Sequence, residues 1–285
     1  MKWGRAFDLD AVVQDVLPML YRQETLNCLL VVLMEAIISG RASSDEYEVY
    51  VLRSNADVQG IGVIDSHRRE LLLSTMPMAS VPALVEQLLA DAERFHQMIG
   101  PASVADIFAR LWMQLHAVVI HHEMSQGVYQ ATSVRLPPAH GGRFIKADEN
   151  HVVVVIDFLQ AFQIACYPPE HQQLESVVHN AERLVETGRV FLWMDENRTI
   201  VSMAAKVRET QNTAGVSLVY TPPKYRNHGY AARLVGHLTA LMLKSGKTAC
   251  MLYTDLTNPT SNGVYLRLGY QRVGDQRLVA FRRRD

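Results

Sequence analysis

The sequence has few cysteines, and no two of them are close together. Cys28, Cys166 and Cys250 are the only thiols among 285 residues. A sparse, odd-numbered set of this kind favours a reducing compartment, where cysteine serves as a small apolar residue. The first residues also lack the apolar stretch of a secretory signal. We therefore expect a cytoplasmic protein.

Long apolar runs and an excess of basic charge are also missing. The most apolar stretch, residues 26–38, is interrupted by Asn27 and Glu35 and is too short to span a bilayer, so we interpret it as a buried helix. Lys and Arg total 28 against 29 Asp and Glu, which gives a net charge of -1. A nucleic-acid-binding protein needs a broad basic face. We therefore expect neither a membrane nor a nucleic acid as a partner.

Two familiar motifs begin in the first half but are not completed. Gly60 and Gly62 begin a dinucleotide-binding fingerprint, but Asp65 stands where the third glycine belongs. His122-Glu123 begins a zinc-protease motif, but residue 126 is a glutamine. No other spacing of His, Cys or carboxylates supports a metal site. We therefore expect no metal.

Strong helix and strand breakers lie near the middle of the chain. Pro137-Pro138 is followed closely by Gly141-Gly142, a stretch that neither continues a helix nor pairs within a sheet. We predict a domain boundary there, with one domain over residues 1–138 and another over 139–285. Each has about the commonest domain size.

Hydrophobic periodicity predicts alternating α and β elements on both sides of this boundary. In the first half, the predicted helices cover residues 9–19, 26–38, 81–94 and 104–115, and the strands cover 47–52, 60–64 and 71–74, with apolar-polar alternation over 128–136. In the second half, the strands are 143–146, 190–194, 200–207, 216–221, 249–254 and 278–281. Two helices lie between the first two of these strands, and later helices cover 229–243 and 261–268. No internal repeat is evident from sequence identity.

The segment most informative about function joins a predicted strand to a predicted helix. It contains Arg226-x-x-Gly229-x-Ala231. Backbone N–H groups in the first turn of a helix bind phosphate oxygens, and the helix dipole favours negative charge there. Glycine allows a close approach of the backbone, alanine keeps that approach open, and arginine adds a positive charge. The pattern therefore predicts a phosphate-binding loop.

A second segment about thirty residues later strengthens this interpretation. Residues 258–270 read Asn-Pro-Thr-Ser-Asn-Gly-Val-Tyr-Leu-Arg-Leu-Gly-Tyr. With these two segments the chain resembles the GNAT acetyltransferase superfamily, over about 140 residues. The first segment is similar to the acyl-coenzyme A pyrophosphate loop, although Asn227 and His228 replace the Gly and Lys often seen there. Because Asn tolerates left-handed backbone, we expect the loop still to form.

The resemblance implies an α/β (α+β) fold, with a mixed, mostly antiparallel sheet flanked by helices. The whole chain also resembles a two-domain bacterial subgroup with GNAT-like domains in tandem, whose N-terminal domain has lost its coenzyme loop. Residues 71–74 and Gly100-Pro101 lie where that subgroup would place them. The alternative for residues 1–138 is an unrelated α/β domain.

The resemblance also assigns roles to individual residues. Tyr265 is the candidate general acid for the departing thiolate, and the alternative is a packed aromatic residue. A backbone N–H near Val219 or Tyr220 would face the thioester oxygen, at a cleft that opens where Pro222 ends the strand pairing. Asn258 and Asn262 either contact the coenzyme or cap the helix that carries Tyr265. The implied coenzyme-binding residues are Val219, Tyr220, Thr221, Arg226, Asn227, His228, Gly229, Tyr230, Ala231, Asn258 and Asn262.

The function implied by the resemblance is direct acetyl transfer from acetyl-CoA to a primary amine of a small molecule or peptide. The general base is unassigned, with Glu196 and Glu209 as weak candidates because each also fits a solvated hairpin position. An alternative is a sensor or scaffold that binds acyl-CoA without turnover, and a third option is transfer of a larger acyl or aminoacyl group. We expect a monomer or a homodimer. The sequence does not identify the acceptor.

Overall fold

The structure is a computed structural model that describes residues 1–92, 94–138, 141–167, 169, 172–257 and 259–284. Asn258 lies outside the described residues. Contacts divide the chain into two compact units. The first comprises Met1–Tyr129, Tyr253–Asn258 and Arg272–Asp285, and the second comprises Gln130–Leu252 and Pro259–Gln271. The domain boundary between residues 138 and 139 stays a prediction.

The first unit contains strands and helices in close alternation. Its strands are β1 (Lys2–Ala6), β2 (Tyr47–Ser54), β3 (Asp57–Asp65), β4 (Glu70–Leu73), β5 (Gln97–Pro101) and β6 (Val118–Ala131). Its helices are α1 (Leu9–Tyr21), α2 (Cys28–Ile38), α3 (Val81–Ala90) and α4 (Ala102–Leu115). Asp8 caps α1, since its carboxylate accepts the N–H of Ala11 at 3.0 Å. This is the role that a short acidic side chain plays at a helix start.

The sheet of the first unit is mixed. Strands β1 to β4 pair antiparallel in sequence order, and β4 pairs parallel with β5 through three residue pairs. The next strand is not β6 but β12 (Gln271–Arg283), which pairs antiparallel with β5 from Gln276↔Pro101 to Ala280↔Gln97. One apolar cluster packs α3 and α4 on the sheet and the other packs α1 and α2. The chain's last strand thus helps complete the first unit's sheet.

The second unit uses the same kinds of element. Its strands are β7 (Arg143–Lys146), β8 (Val190–Met194), β9 (Ile200–Val207), β10 (Thr213–Tyr220) and β11 (Ala249–Asp255). Its helices are α5 (Val152–Cys166), α6 (Val177–Glu186), α7 (Tyr230–Lys244) and α8 (Pro259–Leu268). Strands β7 to β10 pair antiparallel in order, and β10 pairs parallel with β11. Helices α5 and α6 pack on this sheet through a core that includes Val155, Leu184 and Met203.

The order of elements along the chain is repeated. Both β1 to β6 and β7 to β12, with the helices between them, follow the order β-α-α-β-β-β-α-β-α-β. In each repeat the fourth strand pairs parallel with the fifth, and a helix joins the two. A mixed, mostly antiparallel sheet flanked by helices was predicted and is confirmed. The order of elements shows a repeat that sequence identity does not.

Several predicted bounds differ from the observed ones. Strands β7, β8 and β9 coincide with the prediction, whereas β10 begins three residues earlier and β12 is thirteen residues long rather than four. The apolar-polar alternation over 128–136 lies only partly in a strand, because β6 ends at Ala131, and strands β1 and β5 were not predicted. Within the described part of the chain, no helix is both long enough and apolar enough to cross a membrane.

Candidate functional site

The candidate site begins in strand β10, which contains a β-bulge. Ser217 pairs with Ala205 of β9 and Tyr220 pairs with Met203, so β10 has one residue more than its partner over this stretch. Leu218 has a positive φ of 53°, a conformation that a leucine adopts only under tertiary constraint. A bulge re-aims the backbone groups of a strand. The backbone at Val219 therefore departs from regular strand geometry.

Strand β10 also loses its pairing with β11 earlier than the sequence indicated. The paired residues are Thr213↔Ala249, Ala214↔Cys250 and Gly215↔Met251, although β10 continues to Tyr220. The prediction that pairing ends at Pro222 for want of a proline N–H is therefore wrong. The last paired residue, Gly215, lies before the bulge and seven residues ahead of Pro222, and among the described residues β10 has no pairing with β11 from Val216 onward.

The loop between β10 and α7 contains two left-handed residues. Asn227 has φ 66° and Gly229 has φ 73°, and the glycine is the N-cap of α7. Asn227 thus adopts the left-handed backbone that asparagine tolerates. Turns built from such residues direct successive N–H groups to one side and form anion-binding concavities.

The amides of this loop are available to a ligand. Among the described residues, the N–H groups of Asn227, His228, Gly229, Tyr230 and Ala231 have no protein acceptor. Gly229 offers no side-chain cap. The start of α7 therefore combines free N–H groups with the positive end of a fifteen-residue helix dipole.

Arg226 folds back onto its own loop. Its Nε donates to the carbonyl oxygen of Thr221 at 3.0 Å, and the side chain is exposed. The hydroxyl of Thr221 lies 2.9 Å from that of Ser202, which also donates to the carbonyl oxygen of Tyr220. These contacts fix the chain between the bulge and the loop.

Arg233, which the sequence analysis missed, lies beneath the loop. It is 9% exposed, and its Nη1 donates to the carbonyl oxygen of His228 at 2.9 Å. Its guanidinium carbon lies 5.6 Å from the centre of the Tyr230 ring and 6.0 Å from that of Trp193. Among the described residues, no carboxylate forms an ion pair with it. A buried cation without an anion is costly, so this position favours an anionic ligand.

A recess of about 320 Å³ adjoins the loop. It is lined by Gly141, Asp195, Glu196, Asn197, His228, Tyr230 and Arg233. Glu196, proposed as a weak candidate for the general base, therefore lies beside the loop. The other candidate, Glu209, forms ion pairs with Lys206 at 2.8 Å and Lys247 at 3.3 Å. Partial burial opposes the effect, but these lysines lower the pKa of Glu209, which makes it a poor base.

Tyr265 lies on α8 and is 8% exposed. Its ring contacts that of Tyr270 edge-on at 6.1 Å. Burial, with a smaller contribution from Cys166, raises the pKa of Tyr265 to about 12. Within the described residues, its hydroxyl has no protein partner, and no hydrogen bond or ring contact joins it to the loop. Asn262, on the same helix, is half-buried.

The comparisons with known proteins match one segment of the chain to a family. Residues 156–270 match the family model described as "Acetyltransferase (GNAT) family". This segment belongs to the GNAT family. Members of that family transfer acyl groups from acyl-coenzyme A, and the GNAT segment contains both the loop and Tyr265. No curated protein matches the chain.

Solved structures extend the likeness over the whole chain. An N-acetyltransferase from Sphaerobacter thermophilus is 15% identical with a TM-score of 0.63, covering 99% of this chain and 95% of that one. A GNAT-family acetyltransferase from Colwellia psychrerythraea is 11% identical with a TM-score of 0.59, covering 99% and 100%. A tandem GNAT protein from the clavulanic acid biosynthesis pathway is 10% identical with a TM-score of 0.55, covering 100% and 99%. These likenesses show a GNAT fold, and the repeated order of elements agrees with a tandem arrangement.

The first unit lacks the features that form the GNAT loop in the second. The turn before α3 has no residue of positive φ, and β3 pairs with β4 without a bulge. Pro82, in the first turn of α3, removes an N–H. The N–H of Ser80 is bonded to the carbonyl oxygen of Pro77, and the carbonyl oxygen of Ser80 accepts from Trp3. A phosphate would therefore find few free amides at the start of α3.

No group of three or more His, Cys, Asp or Glu side chains within the described ranges is placed to hold a metal ion.

Proposed function

We propose that the second unit is an N-acetyltransferase that moves an acetyl group from acetyl-CoA directly to a primary amine. The observation that carries this proposal is the set of free amides from Asn227 to Ala231 above the buried Arg233. In this proposal the diphosphate of the coenzyme accepts hydrogen bonds from those amides, and Arg233 balances its charge. Thr221, Arg226 and Tyr230 shape the loop.

The proposed route of the coenzyme follows the open side of β10. The pantetheine arm lies along this strand beyond Gly215, where the pairing with β11 has ended. The bulge at Leu218 and Val219 directs a backbone N–H toward the thioester oxygen. Such a donor stabilises the negative charge that develops on that oxygen in the transition state. Asn258 and Asn262 are proposed as further coenzyme contacts.

The proposed reaction has no covalent enzyme intermediate. The neutral amine attacks the thioester carbonyl carbon, a C–N bond forms, and the tetrahedral intermediate collapses with cleavage of the C–S bond. The amine nitrogen loses one proton, and the departing sulfur gains one. With a pKa of about 12 for Tyr265 against about 8.5 for a thiol, full transfer from the phenol is uphill by about 5 kcal/mol. Tyr265 therefore acts as a hydrogen-bond donor to the developing thiolate.

Two measurements test the proposal and separate it from the sensor alternative. Calorimetry with coenzyme A and acetyl-CoA should show binding, and a thiol-release assay with a panel of small primary amines should show turnover. Binding without thiol release for any amine would favour a non-catalytic acyl-CoA sensor or scaffold. If the folded protein binds neither coenzyme A nor acetyl-CoA, both the acetyltransferase proposal and the sensor alternative are overturned. Repeating the thiol-release assay with longer acyl-CoA substrates tests whether acetyl is the acyl group that is transferred.

Cytoplasmic location and a monomeric or homodimeric state belong to the same proposal. Gel filtration coupled to light scattering of the purified protein tests the monomeric or homodimeric state.

A further inference from the structure

The first unit contains a larger open cavity, distinct from the GNAT site of the second unit. Its volume is about 500 Å³. It is lined by Met19, Arg22, Gln23, Leu26, Val58, Gln59, Thr75, Met76, Pro101, Ala102, Ser103, Val104, Gly274 and Asp275. The lining comes from the turn after α1, from β3, from the ends of β4 and β5, from the start of α4 and from β12. Within the repeated order of elements, this cavity lies where β4 and β5 stop pairing.

The walls of the cavity are rigidly built. Asn27 is 2% exposed, and its amide nitrogen donates to the carbonyl oxygen of Leu20 and to the hydroxyl of Thr75, both at 3.1 Å. Its amide oxygen accepts the N–H of Thr75 at 2.8 Å. These bonds fix the turn after α1 to the end of β4. The cavity is therefore preformed.

A glycine permits close packing on another side of the cavity. A Cβ atom on Gly274 would lie 2.8 Å from Leu26 Cδ2, so a larger residue at this position would require the end of the Leu26 side chain to shift.

The cavity is lined by one cationic and one anionic side chain, Arg22 and Asp275. Among the described residues, the guanidinium of Arg22 has no carboxylate partner. The carboxylate of Asp275 is already engaged by Arg272, whose Nε and Nη2 donate to its two oxygens at 2.7 and 2.6 Å. A single free cation matches a monoanion. The first turn of α4 also lines the cavity, and Pro101 at its N-cap supplies no capping acceptor.

Part of the lining is apolar. Met19, Leu26, Val58 and Met76 contribute hydrocarbon or thioether surface, and Gln23, Gln59, Thr75 and Ser103 add neutral polar groups. Binding pockets for small molecules combine such apolar walls with a few polar groups that fix orientation.

We propose that this cavity binds a small carboxylate with an apolar body, oriented by Arg22. The site needs no coenzyme, because the turn before α3 lacks the loop described for the second unit. The proposal therefore stands independently of the acetyl-transfer proposal.

The test compares phenylacetate with phenylacetamide, which have nearly the same shape but differ in charge. Calorimetry on the full-length protein without coenzyme should show phenylacetate, or another aromatic carboxylate of a small panel, binding at least tenfold more tightly than its amide. Arg22→Gln should weaken carboxylate binding at least tenfold. Arg110→Gln, which removes an exposed arginine from α4 outside the cavity, should leave it unchanged.

The proposal is overturned by equal binding of carboxylate and amide, by no binding of any panel carboxylate at about 10 mM, or by an Arg22→Gln variant with unchanged affinity. Thermal melting of each variant verifies that it is folded. A competition measurement with coenzyme A shows whether the ligand has entered the second unit instead, and displacement by coenzyme A would also contradict the assignment.

Discussion

At the scale of single residues, the arginine that the motif highlights differs from the one that the fold buries. Arg226 is exposed and bonded to the Thr221 carbonyl, whereas Arg233 is buried beneath the loop. The sequence pattern ends at Ala231, so it gave no reason to look two residues further along the helix. The useful signal was a charged residue within the apolar stripe of α7.

We predict that Arg233→Met lowers coenzyme A affinity more than Arg226→Met does. The buried guanidinium gives up few water contacts when it binds a phosphate, and charge-assisted bonds contribute about 1.5–3 kcal/mol. The expected loss is therefore about tenfold to a hundredfold for Arg233→Met. Calorimetry on both variants measures it. Equal, small losses for the two variants would remove Arg233 from the site.

Tyr265 gives a second prediction at this scale. Tyr265→Phe should lower kcat far more than coenzyme affinity, by about 10²-fold, because a hydrogen bond to the developing thiolate is lost. Since burial raises the Tyr265 pKa to about 12, no fall in kcat from its ionisation should appear below pH 10. Steady-state kinetics from pH 6 to 10 measures both the loss of kcat in the variant and the pH dependence of kcat in the parent protein. A variant with unchanged kcat would show Tyr265 to be only a packed aromatic residue.

At the scale of elements, Gly229 at the start of α7 has two roles: it adopts a left-handed backbone, and in the proposed function it leaves space for a phosphate. Gly229 has φ 73°, and a Cβ atom there would meet nothing closer than Arg233 Nη2 at 3.6 Å. An alanine would therefore fit sterically and would pay only the left-handed backbone penalty of about 1–2 kcal/mol. The Cβ would also stand where a phosphate must approach.

We predict that Gly229→Ala lowers the melting temperature by a few degrees and coenzyme A affinity by more than tenfold. Gly246, just past the other end of α7, is the matched control, since it has φ 100° and open space around it. Gly246→Ala should cost similar stability and leave affinity unchanged. If both variants bind coenzyme A like the parent protein, the loop is not the phosphate site.

The elements that sequence predicted well are those with a strong local signal. Strands β8 and β9 have apolar cores and a polar turn between them, and their observed bounds coincide with the predicted ones. Strand β10 was placed three residues late, because Ala214 and Gly215 are weak strand formers whose burial depends on their neighbours. The bulge at Leu218 has no local signature, since leucine does not favour left-handed backbone. Strand β5 was missed for a similar reason, as it contains glycine and proline and owes its pairing to distant segments.

At the scale of the whole molecule, buried neutral groups predict how stability depends on pH. Burial raises the pKa of the Cys250 thiol to about 12, and Tyr265 reaches the same value. In the unfolded chain these groups ionise near pH 9 and 10. Between those values and about pH 12, the unfolded state holds fewer protons than the folded state, so stability falls as pH rises. The slope is about 1.4 kcal/mol per pH unit for each group.

We predict a stability plateau up to about pH 8.5 and a steep fall above pH 9.5. Urea unfolding measured at intervals from pH 7 to 11 gives the curve. Cys250→Ala should reduce the slope, because one of the buried groups with a raised pKa is then gone. A free energy of unfolding that stays constant to pH 11 would contradict the assigned burial of both groups.

The pairing of β12 with β5 has a consequence for synthesis. Pro101 and its partner Gln276 are about 175 residues apart, so a ribosome adding roughly 5–20 residues per second needs about 9–35 s between them. During that interval the edge of β5 has no β12 to pair with, and an unpaired strand edge invites association with other chains. The nascent first unit therefore closes this part of its sheet only after residues 271–283 have been synthesised, and a stop codon before residue 271 would leave that sheet without β12.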